Sequence, residues 1–390
     1  MNTYRKLFAA LILAVLLLAA HGVSASADDG NDELSQEIER QLGELDTSAW
    51  DEYVEDLKGF IEPDFDSFDE LLTGLSERGD ISSSSGLFVI LKRIAEERFK
   101  AALVPTAVLT VTALLTALSG IVSDEGLKKT LGIMLSASAV LSVAGMLASL
   151  AGTAYSAVED TARLSENTTP IMSALLISVG SETSAAVFTP QFAFLSETVT
   201  LAVSRTVLPL TAAQGVIAAA DAVSDSAKLG GIQKLIGKLI RWTLGILSTV
   251  YVGMTAVRGL TAASRDGVAI RTAKFAIDKL VPIAGGMVSG TADSILGSAL
   301  LLRNGVGTAA ILILISRIIE PAAVLLSGVF VFRAAEALCS PAADERAVRL
   351  LSNAADCAAN LFTCTAVTGA LYVLTVFMIM ASGGIAAGLW

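Results

Sequence analysis

Long uncharged runs alternate with short charged segments from residue 101 to the last residue. Residues 101–122 are 22 consecutive residues without a charge, and residues 130–158 form a second uncharged run. A helix of about 20 apolar residues crosses the roughly 30 Å hydrocarbon core of a bilayer. The pattern therefore predicts an all-α, polytopic integral membrane protein with about five to seven helical spans over residues 101–390.

The alternation becomes irregular between residues 168 and 280. Charged residues and the prolines at 170, 190 and 209 divide residues 168–220 into pieces of about 14 residues, too short to cross a bilayer straight. Such pieces are typical of broken or re-entrant helices. A basic amphipathic stretch at 228–241 predicts a cytoplasmic surface helix on anionic lipid, and a short span follows at 242–257. A second basic segment follows that span, so the topology of residues 168–280 stays open.

Small residues recur near the start of the C-terminal third. Glycine or serine stands at every fourth position in a segment that is otherwise apolar, namely at Gly286, Gly290, Ser294 and Ser298. A stripe of small residues with this spacing lets a neighbouring helix approach closely. We therefore predict a helix-packing surface at these four positions. The chain then ends with an uncharged run of 34 residues at 357–390.

Several ionisable side chains fall inside the apolar segments. A charge at the centre of a bilayer costs about 3 kcal/mol or more, so such residues are functional candidates by default. They predict a polar pathway or a site for a coupling ion, at Glu182, Glu197, Arg205, Asp293, Arg317 and Glu320. In the alternative, they pair with one another between helices or lie nearer an interface. Arg317 and Glu320, three residues apart, can pair along one helix.

The N-terminal hundred residues differ from the rest. Two basic residues precede a 14-residue apolar run, and the sequence Ala25-Ser26-Ala27 precedes Asp28. This arrangement predicts a secretory signal at 1–27, cleaved between Ala27 and Asp28, with an uncleaved anchor as the alternative. Residues 28–80 carry 19 acidic residues against three basic ones, a net charge of −16. We predict an acidic extracytoplasmic helical domain at 28–86, an interfacial helix at 87–100 and a multi-span membrane domain at 101–390.

Composition argues against enzymatic chemistry. The chain is 53% hydrophobic and 17% charged, and its one histidine, His21, lies in the predicted signal. The mature chain would therefore have no histidine base, and its three cysteines show no CxxC spacing. We predict no catalytic residue, no metal site and no cofactor. The acidic domain makes nucleic acid an unfavourable partner, because like charges repel.

Several stretches carry a family resemblance. They include QLGELDTSAWDEYVEDL at 41–57, PDFD at 63–66, GDIS at 79–82, VFTPQFAFL at 187–195 and DGVAIRTAKFAIDKLVPIAGGMVSGTADSILGSALLLRNGVG at 266–307. Their order and spacing resemble the stage III sporulation protein AE family of endospore-forming bacteria. The similarity is strongest over 266–307 and looser in the C-terminal third.

The resemblance implies a non-enzymatic subunit of the channel or secretion-like complex that joins the mother cell to the forespore, as a gate or base component. It implies a multi-pass location in the mother-cell membrane around the forespore. The implied partners are other stage III A proteins, namely ring-forming subunits, an ATPase and small membrane subunits. No catalytic residues are implied. The residues alone leave two other functions open: a stand-alone secondary transporter with broken helices, and a passive membrane scaffold.

Overall fold

The computed structural model describes residues 103–115, 125–178, 181–223, 229–280, 285–341 and 345–387. Within these ranges there is no β-strand. The helices are α1 (Leu103–Leu115), α2 (Glu125–Ser178), α3 (Glu182–Ala193), α4 (Thr200–Ala202), α5 (Leu208–Val223), α6 (Gly230–Leu280), α7 (Gly285–Cys339) and α8 (Glu345–Ala387). Two π-helical turns, Phe194–Val199 and Val203–Val207, join α3 to α4 and α4 to α5.

Within the described ranges, five helical segments are long and apolar enough to cross a bilayer, by length and composition. They are Thr130–Ile177, Glu197–Ala222, Gly230–Val257, Gly305–Cys339 and Glu345–Met380. The prediction of an all-α, multi-span membrane protein is confirmed. The predicted signal at 1–27, the acidic domain at 28–86 and the interfacial helix at 87–100 lie outside the described residues.

Consecutive crossings run in opposite directions around α8. Leu147 on α2 lies beside Gly215 on α5, while Ser173 near the other end of α2 bonds Thr189 on α3 at 2.7 Å, so the two crossings are antiparallel. Helix α8 lies at the centre of the bundle. In its most apolar stretch of 18 residues, 56% is buried, against 17–33% in the corresponding stretches of the other four crossings. Alanine and cysteine at many of its buried positions let the surrounding helices approach closely.

Glycines mark the contacts of α7 with α8 and α2. A Cβ on Gly369 of α8 would lie 2.5 Å from Ile318 Cδ1 of α7, and one on Gly328 of α7 would lie 2.5 Å from Leu150 Cδ1 of α2. These helices therefore approach at distances that only glycine allows at those positions. The predicted stripe from Gly286 to Ser298 lies in α7, but its side-chain environment is outside the described residues, so the stripe stays a prediction.

The interruptions in the helices differ from those expected at the prolines. Helices α2 and α3 continue through Pro170 and Pro190, and Pro209 is the second residue of α5. Hydroxyl groups near Pro170 bond carbonyls one turn earlier, as in Thr169 to Ser165 and Ser173 to Thr169, both at 2.8 Å. Side-chain bonds and neighbouring helices are what make proline tolerable in membrane helices. Among the described residues, the irregular backbone lies instead at Ser181 and in the two π-helical turns.

Helix α6 changes the topology expected for residues 228–280. The predicted surface helix and the short span after it are one 51-residue helix, Gly230–Leu280, which is about 77 Å long at 1.5 Å per residue. The two basic segments therefore lie towards opposite ends of one helix. The expectation of a separate surface helix at 228–241 is wrong, because Gln233 and Ile240 are buried against the bundle.

Candidate functional site

A polar cleft opens between α2 and α7 at the level of the apolar crossings. It encloses about 310 Å³. Its walls combine hydroxyl groups, three charged groups and a proline, contributed by Thr153, Ser156, Ala157, Asp160, Ser316, Arg317, Glu320, Pro321 and Val324. We call this the α2–α7 cleft.

Helical spacing places the residues of each wall on one face. On α2, Thr153, Ala157 and Asp160 follow one another at intervals of three and four residues, the repeat of a single helical face. On α7, Arg317 and Pro321 are four residues apart. Because Pro321 has no N–H, it donates no hydrogen bond to the Arg317 carbonyl, which adds a backbone acceptor to this part of α7.

The cleft lies far from the end of the bundle at which an ion pair joins α7 to α8. Arg333 of α7 bonds Asp356 of α8 and marks the charged end of both helices. Arg317 lies sixteen residues before Arg333 on α7, which is about 24 Å of helix axis. Both helices that form the cleft are candidate membrane spans at this level, Thr130–Ile177 and Gly305–Cys339. The cleft therefore gives these charged groups polar neighbours between two otherwise apolar helices.

Of the five predicted pathway residues whose side chains the structure describes, it brings two together, Arg317 and Glu320. Asp160, which joins them, was not among the predicted pathway residues. In the sequence it reads as part of an acidic turn with Glu159 and Glu166. The continuation of α2 through that turn to Ser178 could not be read from hydropathy.

Glu197 and Arg205 lie elsewhere, on the outward side of the α3–α5 crossing. Each belongs to a π-helical turn, and both side chains are exposed. In the described part of the chain neither has a hydrogen bond or an ion pair. A π-helical turn widens the backbone ring by one residue and is frequent at functional sites.

Glu182 lies neither in the α2–α7 cleft nor beside Glu197 and Arg205. Glu182 is the exposed first residue of α3 and precedes the candidate span Glu197–Ala222. The carboxylate of Asp266 on α6 accepts hydrogen bonds from the next two backbone N–H groups, Thr183 at 3.0 Å and Ser184 at 2.8 Å. Asp293 is a residue of α7, but its side chain lies outside the described residues.

A line of side-chain hydrogen bonds attaches the α3–α5 crossing to α6 and α8. Asn360 Nδ2 of α8 donates to Gln214 Oε1 of α5 at 2.8 Å, and Thr200 Oγ1 lies 3.0 Å from Tyr372 Oη. Closer to α3, Gln191 Nε2 donates to Thr255 Oγ1 of α6 at 3.4 Å. Hydropathy did not reveal these residues, because isolated uncharged polar groups hardly lower the average of a long window.

The described residues include no group of three His, Cys, Asp or Glu side chains that could hold a metal ion. The three cysteines are buried and free. Cys357 Sγ donates to the Thr211 carbonyl at 3.2 Å and Cys339 Sγ to the Thr110 carbonyl at 3.7 Å. Such bonds suit cysteines that pack between helices.

A bundle of five membrane-crossing helices, with a charged cleft between two of them, defines a multi-span membrane protein. The chain belongs to the stage III sporulation protein AE family, whose model matches residues 67–383. This finding confirms the resemblance seen in the sequence. Stage III sporulation protein AE of Bacillus subtilis (strain 168) is 28% identical over 216 residues, which cover 55% of this chain and 54% of that protein. The match thus spans about half of the relative's length. No solved structure matches this chain.

Proposed function

We propose that this protein is a non-enzymatic membrane subunit of the complex that joins mother cell and forespore during endospore formation, in a gate or base position. Membership of a stage III sporulation family supports a role in sporulation. The single observation that carries the gate or base role is the α2–α7 cleft, in which Asp160, Arg317 and Glu320 lie between two helices long and apolar enough to cross a bilayer.

The cleft favours a path for polar solutes over a purely structural role. Charges in a bilayer are expensive, and helices that only anchor partners do not need them. Here acidic and basic groups line a space of about 310 Å³, together with the hydroxyls of Thr153, Ser156 and Ser316. Such a space is large enough for several water molecules, each of which occupies about 30 Å³ in the liquid.

We also propose an orientation. The α5–α6 and α7–α8 connections would face the mother-cell cytoplasm, since Lys234 and Lys238 of α6 and Arg349 of α8 belong to that end. The predicted signal at 1–27 and the acidic domain at 28–86 would then lie across the membrane, facing partners in the space around the forespore. In this orientation the chain runs from the cytoplasmic face to the opposite face along α2, α6 and α8. It runs back to the cytoplasmic face along α3–α5 and α7.

Co-purification tests the assembly. The protein is extracted with mild detergent from sporulating cells, and the proteins that elute with it are identified. We expect other stage III A proteins in the same peak, at an apparent mass well above 40.2 kDa plus detergent. Elution as a lone monomer under conditions that keep those proteins soluble would contradict the proposal.

The cleft is tested separately with Asp160→Asn combined with Glu320→Gln, which preserves shape and removes two charges. We expect spore yield to fall at least about tenfold while the protein level in the membrane stays normal. The matched control is Glu182→Gln, an exposed carboxylate outside the cleft, which should sporulate normally. If the double variant sporulates like the unaltered protein, the cleft is not part of a conduit.

A stand-alone secondary transporter is the second candidate. The observation in its favour is the pair of π-helical turns inside a crossing segment, because transporters place irregular helices at the substrate site. Purified protein reconstituted alone in vesicles would then accumulate a solute against its gradient. A protein that does so without any other stage III A subunit would replace the leading proposal.

A further inference from the structure

The outward side of the α3–α5 crossing has an unusual composition for a surface at membrane depth. Large apolar side chains are exposed on this crossing, namely Phe194, Leu201 and Val216. Beside them it exposes two charged residues, Glu197 and Arg205, with Thr198, Thr206, Ala193 and Ala213 around them. We call these last six residues the α3–α5 outer face. The outward side of α6 also exposes large apolar side chains, such as Trp242, Ile246 and Val250, but it has no charged residue between positions 242 and 250.

Hydrocarbon suits the exposed apolar side chains of both surfaces, but it does not suit the charged groups of the α3–α5 outer face. Large aliphatic and aromatic side chains gain by contact with acyl chains, whereas a carboxylate or guanidinium in hydrocarbon costs about 3 kcal/mol or more. The α3–α5 outer face belongs largely to the candidate span Glu197–Ala222. A protein surface with complementary charges would remove this cost, and small residues allow such a surface to approach closely.

This chain carries such a complement at the same depth. Thr200, between Glu197 and Arg205, is hydrogen bonded to Tyr372 of α8. Ile318, beside Arg317, contacts α8 at Gly369, one turn away from Tyr372. The charges of the outer face and of the α2–α7 cleft therefore lie at nearly the same height along the central helix.

The order of the charges also matches. Both α3–α5 and α7 run antiparallel to α8, so they run in the same direction. Along that direction an acid precedes a base on the outer face (Glu197, then Arg205), and a base precedes an acid on the cleft wall (Arg317, then Glu320). Two copies side by side in one membrane orientation would place Glu197 near Arg317 and Arg205 near Glu320 and Asp160.

We propose that the α3–α5 outer face of one copy docks on the α2–α7 cleft of the next copy. The two surfaces are different, so the contact is heterologous and repeats from copy to copy, which generates a closed ring or an open assembly. A symmetric pair through the outer face is disfavoured, because copies related by a twofold axis along the membrane normal would set Glu197 against Glu197. This inference concerns self-assembly and does not depend on what the complex transports.

Paired cysteines test the contact in native membranes. Thr198→Cys and Ser156→Cys replace exposed residues on the two surfaces, and the three native thiols are buried. We expect the double variant, treated with a short bis-maleimide, to give a ladder of dimers, trimers and larger products. Each single variant should stay monomeric. The matched control, Ser156→Cys with Val250→Cys, places the second thiol on the lipid-like side of α6 and should give no ladder.

Other outcomes of this experiment contradict the proposal. Dimers from Thr198→Cys alone would show a symmetric contact, and a product with the mass of a different chain would show that another protein covers the outer face. An unmodified monomer in the double variant, with normal membrane level and elution profile, would also reject it.

Charge reversal tests the pairing itself. Arg205→Glu should raise about tenfold the concentration at which half of the protein is assembled. Fluorescence exchange in detergent micelles measures this concentration. Adding Glu320→Arg should restore most of that loss, because the signs are complementary again. Lys238→Glu reverses an exposed charge outside both surfaces and should leave assembly unchanged. If the double reversal assembles no better than Arg205→Glu alone, the two residues are not partners.

Discussion

The two sides of the central helix are held by different physics. Towards α7 and α2, glycines let the helices pack closely, with Gly369 against Ile318 and Gly328 against Leu150, beside the charged α2–α7 cleft and the ion pair between Arg333 and Asp356. Towards α3–α5 and α6, contact is made through hydrogen-bonded side chains such as Gln214–Asn360 and Tyr251–Thr375. Close packing has no alternative arrangement of similar energy, whereas hydroxyl and amide groups can change partners. The difference marks α7–α8 as the rigid part and α3–α5 as the part suited to small movements.

The largest expected effect is on the glycine side. Gly369→Leu would drive a side chain into the side chain of Ile318, and overpacking of this kind costs about 1–3 kcal/mol. We expect loss of folded protein or a markedly lower Tm in detergent. Gly253→Leu is the matched control, because a Cβ there meets no atom within 4 Å, and its Tm should be nearly unchanged. Equal tolerance of both variants would remove the distinction between the two sides.

Asp266 should have the next largest effect. Its carboxylate accepts two backbone N–H groups at the start of α3, so Asp266→Ala removes a helix cap made from another helix. Loss of a cap costs about 1–2 kcal/mol. We expect faster hydrogen exchange in the first turn of α3, measured by mass spectrometry, with α7 unaffected. Glu182→Ala, at the same helix start, should not accelerate that exchange, since among the described contacts no hydrogen bond or ion pair of the Glu182 side chain joins α3 to α6.

The polar side is probed by a double-mutant cycle on Gln214 and Asn360. Asn360→Leu leaves the Gln214 amide without its partner, at a cost of about 1 kcal/mol, because buried polar groups need bonds but membrane hydrogen bonds are modest. Adding Gln214→Leu should recover part of the loss, as measured by unfolding in mixed micelles. Thr363→Val is the control, since Thr363 bonds only the Ala359 carbonyl of its own helix among the described contacts. Strictly additive losses would show that the two amides do not interact.

The smallest effect is expected for the ion pair between α7 and α8. Arg333 and Asp356 are both substantially exposed, and exposed pairs contribute about 0–1 kcal/mol. Asp356→Asn should therefore lower Tm by less than the substitutions of Gly369, Asp266 and Asn360 described above. The change in Tm should vanish in high salt. A large, salt-independent loss would mean that the glycine side also depends on polar contacts.

Several particular features were predictable from hydropathy and several were not. The apolar runs at 130–158 and 357–390 predicted helices that the structure contains within α2 and α8. The prolines were misleading, because Pro170 and Pro190 lie in helices whose hydroxyl side chains and neighbours compensate the missing bonds. The pathway residues were chosen one at a time by charge. Only packing revealed that Arg317 and Glu320 meet Asp160, whereas Glu197 and Arg205 face outward.

Local chemistry determined the helical class, the apolar crossings and the family, because hydrophobicity and motif spacing are properties of neighbours along the chain. Which charges share a cleft, and which lie at equal depth, depends on how helices far apart in the sequence pack against α8. Asp160 and Arg317 are separated by more than 150 residues and meet only because α2 and α7 are antiparallel and close. Local preferences along the chain do not specify the distance in space between Asp160 and Arg317, so only the tertiary structure determines it.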